Sequence, residues 1–268
     1  MLGATAVLAG AQIIASIGNP STQSLVQAQS ILSSMPDDLK KMLATIDDAQ
    51  ALMFAMLLAL EDKPDYSKIE LADPIKQKIR QCLGFKELTD HTYRATLVDL
   101  AIPTLKKMDP AAVDTFLNSM YKLVDEHKTI TIFKAVLLTI LTQRLRADAF
   151  KNVKPKFSNF KAVSSELSCI LWFMAKEGAI DIAEQRKAYI TAIKTLDPSF
   201  NLQIDDQKFL INDLINSLTR LRLVLPTLKE QFLQACVICI KHDNTLETGE
   251  AELLRAVCSC MDCPVPLL

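Results

Sequence analysis

The chain has 268 residues, half of them hydrophobic, and its 30 lysines and arginines nearly balance its 31 aspartates and glutamates. Such a length is sufficient for one large domain or two small ones. The two signs of charge are intermingled and no basic run is present, which argues against nucleic acid as a partner. No apolar run reaches about 18 residues, so we expect no direct membrane span.

The first 36 residues carry no charged side chain. A secretory signal peptide begins with basic residues, so a packed or linker-like start, cut from a longer protein, fits this stretch better. Residues 19–21 (Asn-Pro-Ser) predict a turn that opens a helix, and Pro36 ends that helix. Asp47 and Asp48 open a second helix, which is apolar around most of its circumference and is therefore expected to be central and nearly enclosed.

Caps and breaks predict more helices along the chain. Asp90 and Thr131 are typical N-caps, and Asp109-Pro110 combines an N-cap with proline at the first helical position. Pro103 is expected to kink or end the helix that Asp90 opens. Residues 146–160 have no apolar periodicity and predict a linker. Later helices are expected at residues 160–176, 181–195, 206–222, 226–241 and 248–261.

These elements predict an all-α protein, a helical array or bundle. A soft boundary separates an N-terminal subdomain, residues 1–150, from a C-terminal subdomain, residues 151–268, and one continuous domain is the alternative. The tetrapeptide Pro-Thr-Leu-Lys occurs at 103–106 and 226–229, each time followed by an apolar helix, a polar turn and a further helix. We therefore predict two pseudo-repeated helix–turn–helix units, with seven extra residues in the first copy.

Cysteines are the first candidate ligands. Cys236-x-x-Cys239 and Cys260-x-x-Cys263 are separated by 20 residues, which fits a four-cysteine zinc site. Both pairs also lie in or beside apolar helices without glycine-rich turns, where cysteine serves as a small hydrophobic residue. The odd total of seven cysteines suggests reduced thiols. An unrecognised activity of this cysteine cluster is a further alternative.

Acidic residues near position 247 are the second candidate. Asp243, Glu247 and Glu250 are spaced to supply oxygen ligands to a hard divalent cation. The alternative is helix capping, because acids are favoured at the start of the helix near residue 248. The three histidines are scattered, and no HExxH, G-x-S-x-G or P-loop sequence occurs. We therefore predict that this chain is not itself an enzyme.

The C-terminal segment carries a resemblance. Ala235-Cys236-x-x-Cys239-Ile240, the run Glu250–Ala256 (EAELLRA) and Asp262-Cys263-Pro264-x-Pro266 resemble the C-terminal extension of HtpX-like bacterial membrane zinc metallopeptidases, described as Zn-dependent proteases with chaperone function. Weaker matches to the same extension extend the resemblance over nearly the whole chain. They are at residues 17–20, 49–58 and 130–133.

The resemblance implies a non-catalytic accessory domain that serves proteolysis by a membrane zinc metallopeptidase. In that family the membrane helices and HExxH stand upstream of the extension, so zinc is expected only in a parent peptidase domain and no cofactor in this chain. The implied partners are proteins, either its own peptidase domain or substrate proteins. The implied location is the cytoplasmic side of the bacterial inner membrane if it is fused to the parent, and otherwise the cytoplasm.

The helix–acidic turn–helix units are also similar, more weakly, to the TerB-like helical fold of tellurite-resistance proteins, which binds divalent metal. The resemblance implies a free-standing metal-binding or protein-interaction module as the alternative function. The chain departs from the TerB pattern at the first turn, where Lys134 stands in place of a glutamate and His127-Lys128 in place of Asp-Gly. Metal is therefore least expected at the first turn.

Overall fold

The structure is a computed structural model that describes residues 22–59, 61, 63–65, 71–126, 131–146, 154–200, 209–240 and 248–263. Within these residues every regular element is helical, and the β-type pairing that occurs is an isolated bridge between Phe157 and Val224. The all-α prediction is confirmed. None of the described helices is both long enough and apolar enough to cross a membrane.

Twelve α-helices lie in the described part of the chain, together with short 3₁₀ turns at Lys86–Leu88 and Phe160–Val163. The helices are α1 Thr22–Ser34, α2 Asp37–Lys41, α3 Ile46–Leu58, α4 Asp73–Cys82, α5 His91–Leu105, α6 Pro110–Glu126, α7 Ile132–Leu145, α8 Ser164–Glu177, α9 Ile182–Leu196, α10 Ile211–Leu221, α11 Pro226–Ile240 and α12 Thr248–Cys260.

The chain divides into two compact units. The first unit is Ala28–Asn152, and the second is Val153–Leu268 grouped with the residues up to Gln27. The predicted subdomains, residues 1–150 and 151–268, stay a prediction. Each unit has its own central helix and its own core.

The central helix of the first unit is α3, as its apolar circumference predicts. Its residues from Ala51 to Leu58 are all buried, and α4, α5 and α6 pack around it. The rings of Phe54 and Phe116 meet edge to face with centroids 5.5 Å apart. Burial of each large apolar side chain contributes roughly 1.5–3 kcal/mol to stability. The buried residues of α3 therefore form the centre of this core.

The central helix of the second unit is α8, which contacts α9, α10 and α11. The Tyr189 hydroxyl on α9 lies 2.6 Å from Ser168 Oγ on α8, so the buried phenol has a hydrogen-bond partner. At the end of α8, Gly178 lies against α11, and a Cβ there would be 3.1 Å from the Cys239 carbonyl oxygen and from Ile240 backbone atoms. Glycine permits the close approach of these two helices.

Most predicted helix starts are confirmed by their caps. Asp90 accepts a hydrogen bond from the Thr92 amide at 2.8 Å, and Asp109 accepts one from the Ala112 amide at 2.9 Å. The helix does not end at Pro103, because α5 continues past it to Leu105, and the alternative of a kink stays a prediction. In the last turn of a helix, the hydrogen bond that proline removes is more easily replaced than in the interior.

The predicted repeat register, Pro-Thr-Leu-Lys on Pro-Thr-Leu-Lys, does not match the helix bounds. Pro103 lies inside α5, whereas Pro226 is the first residue of α11. A shift of 116 residues fits better: it carries position 105, the end of α5, onto 221, the end of α10. It also carries the starts of α6 and α7, positions 110 and 132, onto 226 and 248, the starts of α11 and α12. The pseudo-repeat itself stays a prediction.

Candidate functional sites

The predicted acidic metal site is described only in part. Asp243 and Glu247 lie outside the described residues. Glu250 lies in the first turn of α12, where its carboxylate faces the partial positive charge of the helix N-terminus and is partly buried. This position fits the capping alternative as well as the metal alternative, so the acidic site stays a prediction.

The four cysteines of the zinc alternative are all described. Cys236, Cys239 and Cys260 are fully buried, and only Cys263 of these four retains some exposure. Among the residues that the structure describes, no group of three or more histidine, cysteine or acidic side chains is arranged to hold a metal ion. The four-cysteine zinc interpretation therefore gains no support.

Burial explains the chemistry of the core thiols. Loss of hydration disfavours the thiolate, and the pKa of Cys82 and that of Cys169 are both raised to about 12, chiefly by burial. Burial likewise raises the pKa of Cys239, whose Sγ lies 3.4 Å from the Leu171 carbonyl oxygen. Neutral thiols of this kind serve as small hydrophobic residues, which favours the core interpretation.

The first unit contains a buried ion pair, Glu61 with Lys134, and a buried arginine, Arg94. Lys134 Nζ donates a hydrogen bond to Glu61 Oε1, and the two side chains are only 1% and 10% exposed. The buried Arg94 guanidinium lies 4.1 Å from the centroid of the Phe133 ring and donates to His91 Nδ1. Charged groups are rarely buried without such partners.

Local sequence explains why Lys134 needs Glu61. Lys134 is the third residue of α7, and its amide donates the capping hydrogen bond to Thr131 Oγ1 at 3.3 Å. An ammonium group is disfavoured there because the helix N-terminus already carries partial positive charge. Glu61, which follows α3, supplies a carboxylate that offsets both the helix dipole and the loss of hydration.

Sequence reasoning missed this ion pair. No motif in the sequence singles out Glu61, and it is 73 positions away from Lys134 along the chain. The one available signal was a lysine within the otherwise apolar start of α7, at 132–138. Such a lysine is either exposed to solvent or buried with a partner of opposite charge, and a sequence alone does not distinguish the two cases.

The end of α12 holds a second polar arrangement. Arg222 pairs with Asp262, and Lys229 Nζ donates to the Met261 carbonyl oxygen at 2.7 Å. The pKa of Lys229 is lowered, chiefly because burial removes hydration from the ammonium, against the opposing charges of Cys263 and Asp262. These groups hold the last turn of α12 in place. Cys263, which follows this turn, is partly exposed.

Exposed isoleucines mark α9. Ile182 is 63% exposed and Ile190 is 45% exposed, and Ile180 just before the helix is fully exposed. The opposite side of α9 is buried, with Tyr189 and Ala192 in the core. Isolated exposed apolar residues are common, and these three isoleucines, within eleven positions, share the surface of α9 with exposed charged residues such as Arg186 and Lys187.

Comparisons with known proteins identify no relative: no family model matches the chain, and neither a curated protein nor a solved structure matches it.

Proposed function

We propose that this chain is a non-catalytic accessory domain that acts by binding protein, and that its partner is the peptidase part of a membrane zinc metallopeptidase. The observation that carries the proposal is the set of exposed isoleucines Ile180, Ile182 and Ile190 at and on α9. The resemblance of the C-terminal segment to HtpX-like extensions supplies the identity of the partner.

The isoleucines support protein binding for a physical reason. Covering exposed apolar area contributes about 25 cal/mol per Å², and a β-branched side chain loses little rotamer freedom when it is covered. The helix below them is held by Tyr189 and Gln185, whose side chains bond to Ser168 Oγ and the Ala179 carbonyl oxygen. A helix held in this way presents its exposed isoleucines in a fixed arrangement, and such an arrangement is pre-organised for docking.

The first experiment is an immunoblot of the source cell with antibody to this chain, after membrane and cytosol are separated. We expect a membrane band much larger than 29.8 kDa, and peptides from that band should include an HExxH sequence. A cytosolic band near 29.8 kDa, with no membrane form, would overturn the proposal.

The second experiment tests the surface itself. In the intact peptidase, Ile182→Asp with Ile190→Asp should lower the rate of substrate cleavage several-fold while the zinc content stays unchanged. Thr191→Asp with Thr195→Asp, which adds the same two charges at exposed positions of α9 that are not isoleucine, is the matched control. Equal rates for the isoleucine double variant and the control would contradict binding through α9.

The second candidate function is divalent-cation binding by a TerB-like module, and one observation favours it. At a shift of 116 residues, Glu177 and Glu250 stand where the first unit has Glu61 and Lys134. The first unit provides its own cation for the carboxylate, namely the Lys134 ammonium. We infer that the two glutamates at the corresponding positions of the second unit take a hard cation from solution in place of that ammonium.

Calorimetric titration of the full chain with calcium, magnesium and zinc salts tests this candidate. Heat that disappears in Asp243→Ala and in Glu250→Lys is the expected result, because the second change introduces the lysine that the first unit has. Glu230→Lys on the exposed side of α11 is the matched charge control. Absence of heat, or heat that survives Glu250→Lys, would exclude the site.

A further inference from the structure

The end of α12 has the geometry of a Schellman motif. The Asp262 amide donates to the Ser259 carbonyl oxygen at 3.2 Å, and the Cys263 amide donates to the Cys258 carbonyl oxygen at 2.9 Å. Asp262 has φ of 56°, the left-handed conformation that this motif requires one position after the cap. The motif returns the chain so that Cys263 lies over the last full turn of α12.

The same hydrogen bond brings two cysteine residues within reach of each other. A Cα lies about 2.4 Å from its own carbonyl oxygen and about 1.5 Å from its own nitrogen, so the Cα atoms of Cys258 and Cys263 are at most about 6.8 Å apart. Disulfides span Cα separations of about 4.4–6.8 Å. Side chains at these two positions of a Schellman motif commonly touch, and a Cys263 thiolate acts electrostatically on Cys258.

The two thiols differ in access. All seven cysteines lie in the described part of the chain, and six of them are buried, whereas Cys263 is partly exposed. A reagent in water therefore reaches Cys263 first, and Cys258, fully buried beneath it, is placed to react second. An accessible outer thiol beside an inner resolving thiol is an arrangement found at thiol oxidation sites. Partial burial raises the pKa of Cys263, and the Lys229 ammonium opposes that increase.

We propose that Cys263 and Cys258 form a peroxide-responsive thiol pair, in which oxidation joins them by a disulfide across the end of α12. Cys263 sulfur attacks hydrogen peroxide, the O–O bond breaks, and the products are Cys263 sulfenic acid and water. Cys258 sulfur then attacks the sulfenic sulfur, the S–O bond breaks, and the thiol proton leaves with the hydroxide as a second water. Two thiols lose two electrons in total, and peroxide gains them.

The test uses the full reduced chain, treated briefly with hydrogen peroxide, quenched with catalase, and alkylated with iodoacetamide under denaturing conditions. Before alkylation the mass should fall by two hydrogens, two of the seven cysteines should then escape alkylation, and dithiothreitol should reverse both changes. Trypsin releases residues 256–268 as one peptide containing Cys258, Cys260 and Cys263. Fragmentation of that peptide should place the bond between Cys258 and Cys263.

Variants separate the two roles. Cys263→Ser should abolish the bridge, and because residue 263 is partly exposed, this variant is expected to fold. Cys258→Ala should leave a sulfenic acid on Cys263 that dimedone traps. Cys260→Ala and Cys82→Ala, which change other buried thiols, should leave the bridge intact. Seven alkylated thiols after peroxide, a bridge that includes Cys260, or a bridge that survives Cys263→Ser would each overturn the proposal.

Discussion

Replacement of Lys134 by methionine should strongly destabilise the first unit. Methionine resembles lysine in length and volume, so the change removes the ammonium group and leaves most of the packing in place. Lys134 is only 1% exposed and its partner Glu61 only 10% exposed. Water reaches neither charged group well enough to stabilise it if the other group is removed.

The expected magnitude follows from the burial of the pair. Removal of one partner from a buried ion pair costs about 3–5 kcal/mol, because a buried charge then lacks its main compensation. Domains of this size are stable by only about 5–15 kcal/mol, so a large part of the stability would be lost. Lys134→Met combined with Glu61→Gln should recover much of this loss, since the double variant buries no unmatched charge.

The assay is urea unfolding of wild type, both single variants and the double variant, with α-helical circular dichroism as the signal. An exposed pair gives the matched control: Lys41 and Asp38 are 2.7 Å apart but 74% and 76% exposed. Lys41→Met should therefore change the free energy of unfolding very little. If Lys134→Met costs no more than Lys41→Met, the buried pair does not stabilise the first unit and the reasoning fails.

Two further predictions follow from local contacts. Gly178→Ala should destabilise the second unit, because the new Cβ would be 3.1 Å from backbone atoms of Ile240; Gly84→Ala, with 3.3 Å to a single carbonyl oxygen, is the control in the unfolding assay. The pKa of Asp48 is lowered, since burial, which acts to raise it, is outweighed by hydrogen bonds that include one from Lys78. The stability advantage of wild type over Asp48→Asn should therefore be present at neutral pH and disappear as the pH falls through the lowered pKa.

The helices could be predicted because their signals are local. Asp90 and Asp109 are short polar residues placed just before an apolar periodic run, and each accepts the amide hydrogen bond that an N-cap accepts. The central position of α3 was also predictable, since a helix that is apolar on nearly every side is stable only when other helices surround it. These inferences need no knowledge of distant partners.

The sites were less predictable because their signals are not local. The partner of Lys134 depends on how the segment after α3 lies against the start of α7 in the fold, and no pattern around residue 134 encodes that contact. The Cys236–Cys239 and Cys260–Cys263 spacings suggested zinc, but a Cys-x-x-Cys pair within a helix also follows the period of a buried face. Burial of Cys236, Cys239 and Cys260 fits that second explanation.

The tetrapeptide Pro-Thr-Leu-Lys offers a direct test of the corrected repeat register, since its two prolines are both exposed but occupy different helix positions. Pro103 lies within α5, where alanine would supply an amide hydrogen and remove a steric clash, so Pro103→Ala should raise the free energy of unfolding by about 1 kcal/mol or more. Pro226 begins α11, where proline costs no hydrogen bond. Pro226→Ala should therefore lower the free energy of unfolding by about 0.4–1 kcal/mol, because alanine increases the conformational entropy of the unfolded chain. Urea unfolding measures both changes. Effects of the same sign would mean that the two prolines are equivalent after all, and would restore the register that aligns residues 103–106 with 226–229.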